Sequence, residues 1–496
     1  MRYHPLTIAF RIYQFVKNSF FIILLLFVLR KDSEFWLFEY GRYAFISIAV
    51  LRLIHIVLAW FVEKYEWHER TFHLYKGVFV KQTNTIPFSK VQNVTRKTTV
   101  FHKILGVTSI TFETAMDGED DSIHFDVVTK DHANYLTDLV RAGKENETET
   151  TNHIELEEQV PVEEPVSKPR RTIHFTPERK DLWKASFTSL SFLAIIPIAF
   201  GAWDYIQPFL PDEDEVEGIL QLLLASKWLV AILIILLVFV AVGFGVARTF
   251  IRFGKYEISS DATHIYIERG VLDESQFVIE KRKIQGLEIT QTWIKRLFGL
   301  AEVKLISSSN RILDGEVNVN SLYPFLPVAK AYQLIEELMP SYQLDVALHR
   351  LPRNALWVKL VRPSWVWIIA TIALIYFKPD LFQIKQAWWI AIIGLFVLIV
   401  VQRILDYVHT KYAFTEDQVL WWHGGFTSSM FITKRKNVIE MNYSQSVLQR
   451  FFSVASVTTI NRSIPPRHET IQDIPFEYAA AMNTWYVQRR QDVQVK

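Results

Sequence analysis

Six apolar runs, set in three close pairs and separated by long polar stretches, constrain this chain of 496 residues more than any other feature. Tyr43–Val62 (YAFISIAVLRLIHIVLAWFV) and Trp228–Ala247 (WLVAILIILLVFVAVGFGVA) each match the length of about 20 residues that a helix needs to cross a bilayer core. Ser19–Leu29 reaches that length when extended back through Ile12–Val16. Another run lies at about Ala185–Ile206, with Pro197 inside it. Trp365–Phe377 and Ala387–Val401 need their flanks to span, and a re-entrant path is their alternative. The basic start (Arg2, Arg11, Lys17) before the first run also fits a signal peptide. However, Arg30-Lys31-Asp32-Ser33-Glu34 follows it without a small-x-small cleavage site, so the run reads as an uncleaved span.

Each pair reads as a hairpin, which puts all the polar stretches on one side. The loop of the second pair, Pro211–Glu217 (PDEDEVE), has five acids and no base. Arg170, Arg171, Arg179, Lys180 and Lys184 precede that pair, and Arg248, Arg252 and Lys255 follow it. Positive charge gathers on the cytoplasmic side, so the polar stretches and both termini are expected there, at the cell membrane. Arg30, Lys31 and Arg42 in the first loop, with Lys378 and Lys385 in the third, point the other way and are outnumbered.

The chain has no cysteine, which excludes disulfides, thiolate metal sites and cysteine nucleophiles. Its net charge of +2 carries no argument for nucleic acid.

The polar stretches repeat. Lys76-Gly77-Val78, Lys90-Val91-Gln92-Asn93-Val94 and Leu105-Gly106-Val107 follow the first hairpin. Arg269-Gly270-Val271, Lys283-Ile284-Gln285-Gly286-Leu287 and Phe298-Gly299-Leu300 follow the second. Gly to Gln is 15 residues in both, and Gln to the later Gly is 14 in both. The third copy keeps Gly424, Gln445 and Phe452, but has Ile439 where Gln is expected and Ser453 where Gly is expected. Alternation such as His264-Ile265-Tyr266-Ile267-Glu268 marks strands. Each copy closes on a helical stretch: His132–Val140, Ala329–Met339 and Tyr478–Tyr486. The glycines are expected at turns of positive φ.

This pattern resembles the bacterial pleckstrin-homology-like membrane family, in its YdbT type. The resemblance implies a PH-like barrel in each module, a small one-module YdbS-type membrane partner, and a role in envelope stress or resistance to antimicrobial peptides. The expected fold is therefore six membrane spans in three α-helical hairpins, alternating with three small PH-like β-barrel modules, each capped by a C-terminal helix. The expected limits are 1–62, 176–250 and 346–409 for the hairpins, 63–141, 251–345 and 410–496 for the modules, and 142–175 for a linker. Within that linker, Lys144–Lys168 is rich in acid, Thr and Pro and reads as a flexible tether.

No P-loop, HExxH, GxSxG or GxGxxG signature is present, so neither an enzyme nor a cofactor is expected. Asp117–Asp121 reads as an acidic hairpin turn rather than a metal site, and His68 and His73 as strand residues. Two basic triplets, Lys281-Arg282-Lys283 and Lys434-Arg435-Lys436, sit at nearly corresponding places and are candidates for contact with anionic lipid or a partner. A solvated strand face or docking onto another module accounts for them equally simply. Arg52 and His55, three apart in the second run, form a candidate intramembrane polar site; interior pairing and snorkelling of Arg52 both explain it. Ala241, Gly243, Gly245 and Ala247 offer a face for close helix packing. The expected function is a cytoplasm-facing membrane adaptor, with a transporter or lipid-handling protein as the alternative.

With cysteine introduced at Glu215 or at Thr150, an impermeant thiol reagent applied to whole cells should label the first and spare the second. The reverse pattern places the modules outside.

Overall fold

The computed structural model describes residues 1–29, 36–68, 70–114, 122–152, 171–188, 227–307, 321–378, 386–463 and 466–488. The chain divides into two compact units, Met1–Glu280 and Lys281–Lys496.

In the first unit the apolar runs form α1 (Leu6–Leu24), extended by a π turn at Leu25–Leu29, and α2 (Trp36–Val62). Helices satisfy their own backbone groups, which hydrocarbon requires. Next come β1 (Lys64–His68), β2 (Thr71–Lys76) and β3 (Gln82–Pro87), an antiparallel three-stranded sheet in that order. A 3-10 corner, Phe88–Lys90, redirects the chain into β4 (Val91–Thr98). After it come α3 (Val100–Ile104), β5 (Val107–Thr114), β6 (Ser122–Thr129) and α4 (Lys130–Asn152). The inward set of the period-2 pattern (Phe72, Leu74, Ile110, Phe112, Phe125) packs with Leu136 of α4 in one core. The unit continues through β7 (Thr172–Phe175), α5 (Arg179–Thr188), α6 (Lys227–Phe253), β8 (Tyr256–Ser260), β9 (His264–Arg269) and β10 (Glu274–Glu280).

The second unit opens on the corner Lys281–Lys283, then β11 (Ile284–Gln291), α7 (Trp293–Leu297), β12 (Leu300–Ser307), β13 (Ser321–Pro327) and α8 (Val328–Leu338). A two-residue strand, β14 (His349–Arg350), leads into α9 (Arg353–Val361), α10 (Trp365–Phe377) and α11 (Ala387–His409). The last module has β15 (Lys411–Phe414), β16 (Gln418–His423), β17 (Ser428–Lys434), a corner at Arg435–Asn437 and β18 (Val438–Ser444). It ends on α12 (Val447–Phe451), β19 (Val454–Asn461), β20 (Arg467–Pro475) and α13 (Phe476–Val487), which adds Ala479, Met482 and Trp485 to the core around Trp421 and Phe431.

The modules are not separate barrels. One seven-stranded sheet has the order β6-β5-β4-β10-β9-β8-β7, and a second runs β13-β12-β11-β17-β16-β15-β14. Each therefore joins the second half of one module to the first half of the next. An open barrel leaves a strand edge exposed, and a tandem copy can fill it.

Two further differences concern limits. α4 runs to Asn152, so Lys144–Asn152 of the expected tether is helical; no Pro or Gly interrupts it there. The short strands β7 and β14 fall in segments read as linker or hairpin. They pair with β8 and β15, as Arg2 bridges Lys64 in the first copy.

Among the described residues four helices are long and apolar enough to cross a membrane: Leu6–Phe27, Phe38–Val62, Arg353–Phe377 and Ala387–His409. α6 covers the run Trp228–Ala247. The run Ala185–Ile206 lies outside the described residues beyond Thr188, as do the loop Pro211–Glu217, the turn Asp117–Asp121 and linker residues 153–170. The last helix passes Val401 because Arg403 donates to the Leu360 carbonyl and Asp406 pairs with Lys359. Among the described residues nothing lies within 4 Å of a Cβ added at Gly243 of α6.

The repeat holds in backbone geometry. Gly106 and Gly299 have φ of +68° and +65°, and Ser453 keeps the same turn at +54°. Gly77, Gly270 and Gly424 are also positive, and a Cβ on any of them would lie about 2 Å from a backbone oxygen three residues on. Left-handed backbone costs a non-glycine residue roughly 1–2 kcal/mol. Ser453→Gly should therefore raise stability by about 1 kcal/mol, and Gly106→Val should lower it by about 2 kcal/mol. Denaturant titration of the whole chain in lipid checks both signs.

Candidate functional site

Charged side chains tie the helices to the modules. Arg11, on α1, donates to Glu63 at 2.8 Å, just past the end of α2, and to Asp126 on β6 at 2.9 Å. Burial opposes ionisation of Asp126, but hydrogen bonds and charge from His124 and Arg11 hold its carboxyl at about 2. The third copy repeats the device with different residues. Lys359 on α9 pairs with Asp406 on α11, and Asp473 on β20 accepts from Arg362 at 3.0 Å. Asp473 is fully buried at φ +65° and also accepts from Gln449 of α12 at 2.7 Å. His102 of α3 holds the equivalent place, with Nε2 2.9 Å from the Asp126 carbonyl. The short helices α3 and α12 thus sit beside the feet of the long apolar helices.

A second tether lies at the Gly loop. The Gly424 N–H donates to Asp406, and His409 at the end of α11 meets the Gly424 carbonyl. Arg296 of α7 reaches His409 and donates to Ser428 Oγ at 2.7 Å. In the first unit Lys103 of α3 donates to the Val271 carbonyl at 2.6 Å and pairs with Glu274, while the Val271 N–H donates to Ile251 of α6.

The two joints share one register. Val94 opposes Val278 and Arg96 opposes Gln276 in β4–β10; Leu287 opposes Ile432 and Ile289 opposes Met430 in β11–β17. Glu288 clamps the second joint. Its carboxylate accepts from Ser429 Oγ of β17 at 2.8 Å and from Arg467 of β20 at 2.9 Å, and that guanidinium covers the Phe431 ring. Burial would raise Glu288, but Arg467 prevails and its carboxyl falls to about 2. Gly286 opens this joint, because a Cβ there would lie 2.9 Å from the Ile432 carbonyl oxygen.

The basic triplets occupy corresponding corners. Lys281-Arg282-Lys283 forms the whole of one 3-10 turn. Lys434 ends β17 with its ammonium 5.2 Å from the Tyr342 ring centre, and Arg435 lies over Trp485. Lys436 is exposed. Each corner stands at the far end of its strand from the Gly loop and short helix that touch the apolar helices. Six or seven strand residues, about 20 Å, separate the two ends. Arg52 and His55 both lie on exposed positions of α2 and are not joined to one another or to an acid among the described residues. No group of three His, Cys, Asp or Glu among the described residues is placed to hold a metal. His73 bonds to Thr71 and Thr85 within its sheet.

The nodes at Asp126 and Asp473 went unread in the sequence. The partners are far apart in the chain, and neither spacing nor composition marks them. Pro5, Pro177 and Pro352, each just ahead of a helix at the start of a copy, were the available signal that the repeat begins before its hairpin.

A family model described as bacterial PH domain matches three segments, residues 19–144, 216–341 and 366–490. The chain is also similar to the UPF0699 transmembrane protein YdbT of Bacillus subtilis (strain 168). The two are 24 % identical over 504 residues, covering 99 % of each.

Glu288→Gln should destabilise the chain at neutral pH by about 2 kcal/mol, the loss of a buried charge-assisted bond. The carboxylate ordinarily titrates near 4.5 and here near 2, so its contribution is full above 4.5 and fades as pH falls toward 2. Thermal unfolding from pH 7 to pH 3 should show the parent and variant converging; a constant gap means that the clamp does not depend on this charge.

Proposed function

This chain belongs to the bacterial PH domain family and is a membrane protein of the YdbT type, and from that we propose that it works as a non-enzymatic membrane adaptor. Its hairpins cross the cell membrane, and its modules and termini face the cytoplasm, a reading supported by the charge of the flanking segments. The modules sit against the inner leaflet and hold their basic corners out toward a partner, which the resemblance suggests is a small YdbS-type membrane protein. The process it serves is envelope stress or resistance to antimicrobial peptides.

The observation that carries this reading is the opposite placement of two repeated features on each strand. Beside the membrane helices, the fifth residue of each short helix is a large apolar side chain left open: Ile104 at 77 %, Leu297 at 76 % and Phe451 at 81 % exposure. Apolar side chains exposed at equivalent places mark a surface meant for a partner or a membrane. Each follows a base, but Lys103 and Arg296 are already held at the Gly loop of the next module, so the apolar side chains rather than the bases are what this end offers to the leaflet. The corners lie at the other strand end, which supports contact with a partner's acidic surface for Lys281-Arg282-Lys283 and Lys434-Arg435-Lys436, while the leaflet takes the short helices.

The absence of native cysteine makes the test direct. A polarity-sensitive fluorophore on Leu297→Cys, in the whole chain in lipid nanodiscs, should shift to the blue and be quenched by brominated lipid. The same probe on Lys436→Cys should stay in water. Quenching at Lys436 alone would transfer lipid contact to the corners, and quenching at neither would remove lipid from the proposal.

A further inference from the structure

The two joints inside the chain define what the two outermost strand edges fit. In each joint the outer side of a module's fourth main strand (β4 or β11) receives the third main strand of the next module (β10 or β17). The repeat has three copies, so two half-joints are left over. β18 is the counterpart of β4 and β11, and β3 is the counterpart of β10 and β17. Each ends its three-stranded sheet, with a strand on one side only among the described residues. We propose that these edges pair with each other between copies, so that β18 of one chain receives β3 of a second copy, head to tail. This goes beyond the adaptor reading and does not depend on it.

The register follows from the internal joints. Aligning the corners sets Met441 against Thr85, Asn442 against Asn84 and Tyr443 against Thr83, as Leu287 stands against Ile432 and Ile289 against Met430. Pro87, which has no N–H, occupies the position of Lys434, outside the paired stretch, so it does not block the joint. Exposure agrees: Tyr443 is 41 % exposed, whereas its counterpart Ile289, inside a completed joint, is 6 % exposed.

A second observation comes from the short helices. Lys103 and Arg296 each reach the Gly loop of the following module. Their counterpart Arg450 has no side-chain partner among the described residues. The counterpart loop of the first module, Gly77–Lys81, leaves Phe79 at 90 % exposure. In that loop the Val78 carbonyl stands where Val271 accepts from Lys103, whereas Lys81 stands where Glu274 and Ser428 accept, so the carbonyl is the acceptor left for Arg450 of a neighbour. The surface is heterologous, so it builds rings or open rows rather than a two-fold dimer. Thr83, Asn84 and Thr85 make the β3 edge more polar than β10, with Gln276, Phe277 and Val278, which suits a reversible joint.

Two differently tagged copies, one with Thr83→Cys and one with Tyr443→Cys, test the pairing in native membranes. Opposed strand residues lie within disulfide reach. Mild oxidation should link the two tags, at least tenfold more than Thr83→Cys with Ser444→Cys, whose side chain points to the other face. Arg96→Cys with Gln276→Cys, opposed within one chain, is the control and should close an internal bond. Without oxidation, unsubstituted tagged copies should co-purify, and Arg450→Glu on both should cut recovery at least fivefold. Failure of both linkage and co-purification while the control closes overturns the inference. Linkage to a different protein, or of Thr83→Cys to itself, does so as well.

Discussion

A β-strand at the edge of a sheet carries a row of backbone N–H and C=O groups that another strand can satisfy, and this chain is organised around that fact. Each module is an open arrangement with such an edge. Duplication in tandem lets the next copy supply the missing strand, so β4 takes β10 and β11 takes β17 in one register. In the apolar segments the same demand is met differently, because no strand is at hand in hydrocarbon and only a helix closes its own hydrogen bonds.

Strand pairing is indifferent to side chains, so specificity at the joints comes from what lies beside the ladder. Glu288 reaches a serine on the neighbouring strand and an arginine from β20, and burial makes that carboxylate dependent on its cation. Lys103 and Arg296 perform a related task at the Gly loops with flexible side chains and fewer buried atoms. The helix feet use the same principle. Arg11 joins Glu63 to Asp126, and Lys359 with Arg362 joins Asp406 to Asp473, so a module cannot turn freely on its hairpin. Residues and exact positions both differ between the two copies, Glu63 lying just before β1 and Asp406 five residues before β15, while each places cations between two acids.

Legibility in the sequence followed the range of each interaction. The apolar helices among the described residues were visible because hydrophobicity sums over neighbours in the chain. Glycines 106 and 299 were visible because a left-handed turn is a local property, and Ser453 adopts the same φ despite its Cβ because the flanking strands impose the turn. The basic triplets were found as charge runs, but their place at the strand ends opposite the Gly loops and short helices was not, since it depends on how the strands run. The end of α4 was misjudged because an acidic, threonine-rich composition resembles a tether, yet contains nothing that stops a helix before Pro161.

By itself the sequence determined that three apolar pairs alternate with three copies of one β-rich unit, and that glycine or its substitute recurs at fixed turns. Those features depend on hydropathy and backbone sterics, which act over a few residues. Only the tertiary structure decided that neighbouring copies share sheets, that Glu288 meets Arg467, and that the corners and the short helices stand at opposite strand ends. A strand's own residues specify which side chains face inward, but its hydrogen-bonding edges look alike from one strand to the next, so the choice of neighbour is made only when the chain has folded.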